Sequence, residues 1–216
     1  MKDLSKRLAA IRGLNPLPTQ ERRTLDITAI KKGGYLELDK QTWKVNNIFL
    51  YLDVKWSNFK HRKKDYWVTE LELYSLNTGK TLYVEWEIDD ELEICQTDAL
   101  VKMRDIQFEG KSLSRADLDY IADEEEGEVI HNGVRYEYSE DDTWAGLFIK
   151  AHGSKDGIPM RAYEFESDNG QCLTIETWHE DDDEHPDREA FLSHPIDSHV
   201  IAILQIEGSR APLNKS

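Results

Sequence analysis

From Tyr35 onward the chain alternates apolar and polar positions with a period of two, as strands do when one face is buried and the other is not. In 48–56, Ile48, Leu50, Leu52, Val54 and Trp56 share a face; in 80–88, Leu82, Val84, Trp86 and Ile88 stand opposite Tyr83, Glu85 and Glu87. Residues 67–73 reach the second of these segments through Asn77-Thr78-Gly79, and Asn and Gly tolerate the positive φ of tight turns, so a hairpin is predicted there. Further strands are predicted at 92–95, 134–138, 144–151, 160–166, 172–178 and 200–206. The last is apolar on both faces (Val200, Ala202, Leu204 against Ile201, Ile203) and is expected to be covered on both sides.

Helical signals are few. Ser114–Ala122 has Ser114 as N-cap, Asp117 in a near-capping-box position, and Leu118 and Ile121 to face inward; the acidic run 123–128 follows as an exposed connection. Asp3–Ile11 predicts a short helix with Leu4, Leu8 and Ile11 on one side, an appendage stopped by Pro16 and Pro18. The expected fold class is therefore mainly β: two antiparallel β units (sandwich or partly open barrel) with one short intervening helix. The expected division is a basic N-terminal arm over 1–32, a first β unit over 33–110, helix and acidic connection over 111–127, a second β unit over 128–207 and a tail over 208–216.

Two regions resemble each other. Aligning the turn glycines Gly79 and Gly170 also aligns Leu82 with Leu173, Val84 with Ile175 and Glu85 with Glu176, while Trp86 and Trp178 fall one place out of step. A duplicated hairpin unit accounts for this, and so does the shared composition of β-hairpins. Around these hairpins lie a Gly34-Tyr35 start before Trp43-Lys44-Val45, a Trp67…Glu70…Leu73 strand, a turn followed by Leu82…Glu85, and a late Leu173…Glu176-Thr177-Trp178. In that order these motifs resemble the bacterial domain of unknown function 4178 family over roughly Lys31 to Ile206. The spacing around Trp67 and Glu70 is wider than the family pattern, and a second Gly-aromatic start is less clean. The resemblance implies an all-β domain, assigns no activity or catalytic residues, and implies a gene context near polyamine-synthase-like enzymes and small membrane proteins.

Composition fits a folded core: 39% of the 216 residues are hydrophobic. No window approaches the ~18 consecutive apolar residues of a membrane helix, and the N-terminal stretch lacks the apolar run and cleavage site of a secretory signal, so the protein is expected to be soluble and cytoplasmic. Cys95 and Cys172 lack metal-type spacing, and in that compartment two reduced, buried thiols are expected. The net charge of −16 disfavours unspecific nucleic-acid binding. It is unevenly spread: residues 1–32 carry +5 and residues 33–216 carry −21.

Catalytic motifs are missing. No serine lies in a GxSxG elbow, no His pair has HExxH spacing, and neither GxGxxG nor GxxxxGK[ST] occurs. The run from His179 to His185 lacks the glycine and alternation of a calcium loop and is read as a solvated acidic tip; no metal and no cofactor are expected. The protein is expected not to be an enzyme but a non-catalytic binding or adaptor module. Its candidate contacts for a protein partner or an anionic membrane surface are the basic arm and a basic loop containing Lys55, Lys60, Arg62, Lys63 and Lys64. Trp56 and Phe59 within that loop also suit single-stranded nucleic acid, but Trp56 continues the buried face of its strand, which favours an ordinary loop. The alternative function is a sensor or binder of an organic polycation such as a polyamine. Its candidate residues are the carboxylates Glu70, Glu85 and Glu176 beside Trp67, Trp86 and Trp178, because carboxylate and aromatic face together attract organic ammonium ions. Against this stands the ordinary expectation that alternation puts acidic residues on a wet face.

Overall fold

The structure, a computed structural model, describes residues 2–55, 60–61, 67–88, 90–138, 143–150, 157–179 and 187–208. Helices α1 (Lys2–Gly13) and α2 (Thr19–Arg22) precede strands β1 (Tyr35–Leu38), β2 (Gln41–Lys55), β3 (Lys60–His61), β4 (Trp67–Ser75), β5 (Thr81–Ile88) and β6 (Leu92–Val101). The short strands β7 (Ile106–Phe108) and β8 (Lys111–Ser112), helix α3 (Arg115–Glu124), and strands β9 (Gly127–His131) and β10 (Val134–Tyr138) form a middle insertion. Strands β11 (Thr143–Ile149), β12 (Ile158–Glu166), β13 (Cys172–Trp178), β14 (Asp187–Pro195) and β15 (Ile201–Gln205) complete the chain.

The fold is mainly β, and its centre is a closed barrel of eight strands. Around the barrel the order is β2-β4-β5-β6-β14-β13-β12-β11, and β11 pairs back onto β2, every neighbour antiparallel. The mainly β fold is as expected, but its two antiparallel units close into one barrel instead of a sandwich or partly open barrel. Each half of the chain supplies a four-stranded meander with two unpaired edges, and the halves satisfy those edges on each other, first strand to first (β2 with β11) and fourth to fourth (β6 with β14). That is the arrangement a duplicated four-stranded unit would give. The strand that joins the halves, β14, was not predicted, because Arg188, Glu189 and His194 interrupt its apolar pattern.

Two apolar cores clothe the outside of the barrel. On one side Leu71, Leu73, Val84 and Ile94 pack against Leu36, Leu38, Ile203 and the 1%-exposed Ile27. On the other, Tyr163, Phe165, Leu173 and Ile175 pack under Leu118 and Ile121 of α3, Val129 and Tyr136. Helix α3 is placed as its sequence predicts, held by a complete capping box in which Ser114 and Asp117 exchange side-chain-to-backbone hydrogen bonds. Strand β15 is covered on both faces, Ile201 and Ile203 by the first core and Leu204 by Ala10, Tyr35 and Tyr74. Gly34 is required where it sits: a Cβ there would lie 2.4 Å from the Ile206 carbonyl oxygen at the end of that strand.

The N-terminal stretch is built into the body rather than appended to it. Ile27 and Ile30 belong to the first core, Tyr35 donates its hydroxyl to the Ala10 carbonyl at 3.0 Å, and Arg7 Nε donates to the Leu76 carbonyl at 2.9 Å. Helix α1 docks through this polar side, which leaves Leu4, Leu8 and Ile11 exposed.

Candidate functional site

Strand alternation decides what faces the barrel lumen. Since Leu71, Val84, Ile94, Tyr163, Leu173 and Ile175 point outward into the two cores, their chain neighbours Glu70, Glu85, Cys95, Glu164, Cys172 and Glu176 point inward. Glu70 is the direct cross-strand partner of Glu85, and Glu176 that of Glu189. Like charges directly opposite are destabilising, and here two such pairs share one enclosed space.

The opposite wall of the lumen is aromatic. Tyr51 contacts Phe148 at 5.0 Å between ring centroids and meets Trp144 edge-on at 6.1 Å; Phe148 also contacts Phe49 at 5.3 Å and Trp178 at 5.2 Å. Gly146 makes room for this wall, because a Cβ on it would stand 2.6 Å from the Trp144 ring and 3.1 Å from Met160 Sδ. Between the two walls lies a cavity of about 510 Å³, bordered by Tyr51, Glu70, Phe148, Glu176 and Trp178, with Asp187, Glu189 and Lys150 at its exposed rim.

Burial shifts Glu70, Glu85 and Glu176 toward the neutral form. Burial, opposed by a hydrogen bond with Tyr51 and reinforced by Glu72 and Glu189, raises Glu70 to about 7. Burial with the nearby Glu70 and Glu164 raises Glu85 to about 8. Glu176, 7% exposed, is pushed well above the carboxylate range by burial and by Glu70, Glu85, Glu189 and Glu164. The buried indole N–H of Trp178 has no acceptor among the described residues. Trp144 is the contrast, its Nε1 donating to Glu164 at 2.7 Å. A lumen with carboxyls on one wall and π faces on the other can receive ammonium groups, accept their N–H hydrogen bonds, and give up or take protons near neutral pH.

Of the residues singled out in the sequence, Glu70, Glu85, Glu176 and Trp178 come together in this lumen. Trp86 does not: it lies on the outer face of β5 beside Val84 and packs against the first core. The backbone of Trp67 opens β4, but its side chain lies outside the described residues. The same holds for Lys55 and Lys60, on β2 and β3, and for all of Arg62, Lys63 and Lys64. Of the run from His179 to His185, residues 180–186 also lie outside them. Among the described residues no cluster of His, Cys, Asp or Glu is placed to hold a metal ion. Tyr51, Trp144, Phe148, Glu164 and Glu189 were missed. The available signal was that 48–52 and 144–149 are apolar or aromatic on both faces, which marks strands buried on both sides.

Fold and site together define a closed antiparallel barrel with an acidic and aromatic interior. The chain matches the family described as Domain of unknown function (DUF4178) over residues 31–198, and it belongs to that family. No curated protein and no solved structure matches it. Among the described residues no helix is long and apolar enough to cross a membrane.

Proposed function

We propose that this protein is a non-catalytic binding module that takes an organic cation, of which a polyamine is the leading example, into the lumen of its barrel. The observation that carries the reading is the buried Glu176 carboxyl, facing the cavity beside Trp178, whose buried indole N–H has no acceptor among the described residues, and within electrostatic reach of Glu70 and Glu85. Native proteins rarely keep such a group unless something outside the fold completes it. An ammonium ion does so: its charge relieves the repulsion among the carboxyls, its N–H groups find acceptors, and its methylene chain lies on Tyr51, Phe148 and Trp178.

Calorimetric titration with spermidine at low and physiological salt tests this, on the parent and on Glu176→Gln and Trp178→Ala. Loose attraction to an acidic surface is screened away by salt, whereas an enclosed pocket keeps part of its affinity. Saturable binding that persists at physiological salt and weakens in both variants supports the site; disappearance of all heat at that salt removes it. A second reading, an adaptor meeting a protein partner or anionic membrane surface, rests on the exposed Leu4, Leu8 and Ile11 of α1 in the basic first 32 residues. Co-sedimentation with anionic vesicles, comparing the parent with Leu4→Ser/Leu8→Ser, separates it from the first: the adaptor reading predicts binding lost in the variant, and the lumen reading predicts none in either.

A further inference from the structure

Seven of the eight barrel strands bring ionisable side chains to the lumen. From β4 come Glu70 and Glu72, from β5 Tyr83, Glu85 and Glu87, and from β6 Cys95. From β12 comes Glu164, from β13 Cys172 and Glu176, from β14 Asp187 and Glu189, and from β2 Tyr51 and Asp53. Strand β11 contributes aromatic rings and Gly146, but no ionisable group. The one cationic side chain bordering this space among the described residues is Lys150, at the rim, its Nζ 5.9 Å from the Phe148 ring centroid. The arginines nearby in sequence face away: Arg161 pairs with Asp119 and stacks on Tyr163 on the outer surface. Glu70 with Glu85 and Glu176 with Glu189 form two like-charged cross-strand pairs facing one lumen, and their mutual repulsion opposes full ionisation of the empty barrel.

We infer that the lumen is a proton-for-cation exchanger, releasing protons from its glutamic acids in step with uptake of a linear cation bearing two or more ammonium groups. This rests on the reading of the lumen as a cation site. The step balances: each carboxylic acid in contact with an ammonium gives its proton to solvent and becomes a carboxylate, the ammonium keeps its own protons, and net charge in the lumen changes by one less per proton released. One ammonium opposite the Glu70–Glu85 pair and another opposite the Glu176–Glu189 pair convert both like-charge pairs into bridged ones. The raised pKa values of Glu70, Glu85 and Glu176 are the equilibrium counterpart of that geometry. A monoamine satisfies only one pair, which is why the ligand class is set at two or more ammoniums.

The consequence is that occupancy depends on pH. By linkage, each proton released per ligand steepens affinity tenfold per pH unit over the range in which the carboxyls are still protonated in the empty barrel. Spermidine, putrescine and butylamine are titrated calorimetrically between about pH 6 and 8.5 in two buffers of different ionisation enthalpy, so that the buffer-dependent part of the heat counts protons. Release on the order of one to two protons per spermidine near pH 6.5, declining toward pH 8.5, is expected, with affinity rising at least tenfold over that span and butylamine binding far more weakly. Glu85→Gln, which keeps the side-chain volume, lowers the proton count by about one. Saturable binding with affinity independent of pH and heat independent of buffer overturns the exchange while leaving the cation site standing. Absence of saturable binding at every pH overturns both. Equal affinity for butylamine and putrescine overturns the requirement for two ammoniums.

Discussion

Replacing Glu85 by Gln is expected to stabilise the empty protein, and to do so increasingly as pH rises. In the unfolded chain a glutamic acid ionises near pH 4.5, whereas in the lumen Glu85 keeps its proton until about 8. Between those values the native state binds the extra proton, so stability falls with increasing pH and levels off only above the native value. The interval of some 3.5 units corresponds to about 5 kcal/mol for an isolated group; sharing of protons with Glu70 brings the effect of removing one carboxyl to ~3 kcal/mol. With a typical denaturant dependence for a chain of this size, that is a difference of about 1–2 M in the urea midpoint. Urea unfolding followed by tryptophan fluorescence at about pH 5 and pH 8.5 measures it. The parent is expected to lose far more stability between the two pH values than Glu85→Gln, because the amide cannot ionise but occupies the same volume. If both lose the same amount, Glu85 is not held neutral in the fold and the account of the lumen fails.

Other consequences are local. Gly146→Ala should lower stability by ~1–3 kcal/mol and disturb the Trp144 to Glu164 hydrogen bond, since the added methyl meets the indole ring; a shift in thermal midpoint with altered near-UV dichroism checks it, and an unchanged spectrum would count against the placement of Trp144. Ser114→Ala removes half of the capping box of α3 and should cost ~1 kcal/mol, read as a thermal midpoint lower by a few degrees with binding unaffected. The Cys95 thiol, pushed up to about 12 mainly by burial and by Glu85, should resist iodoacetamide at about pH 8 in the folded protein and react after unfolding. Mass spectrometry of the labelled peptide decides that, and ready labelling of the native protein would contradict it.

Much of this was legible from alternation alone. The periods that place Leu71, Val84, Leu173 and Ile175 on apolar faces also fix Glu70, Glu85 and Glu176 on the opposite ones. What alternation left open is whether that opposite face is wet, and only closure of the barrel answers it. Closure depends on β14 and on the pairing of β2 with β11, a contact between residues some ninety positions apart that no local pattern announces. The offset between Trp86 and Trp178 was the informative detail. In a strand, a shift of one place moves a side chain to the other face, so the aligned glutamates both point into the lumen while Trp178 joins them and Trp86 goes to the outer core. Likewise the apolar side of α1, correctly periodic, is not the side that docks, because Arg7 and Asp3 find partners in Leu76, Asn77 and Tyr74.

The central claim is that the barrel interior, rather than the acidic exterior, receives the cation. A crystal structure of the protein with spermidine tests it most directly. The account predicts ligand density inside the barrel, with one nitrogen within hydrogen-bond distance of a Glu176 oxygen and part of the chain lying within about 6 Å of the Trp178 ring. Density confined to the outer surface, with the lumen unchanged, would contradict it.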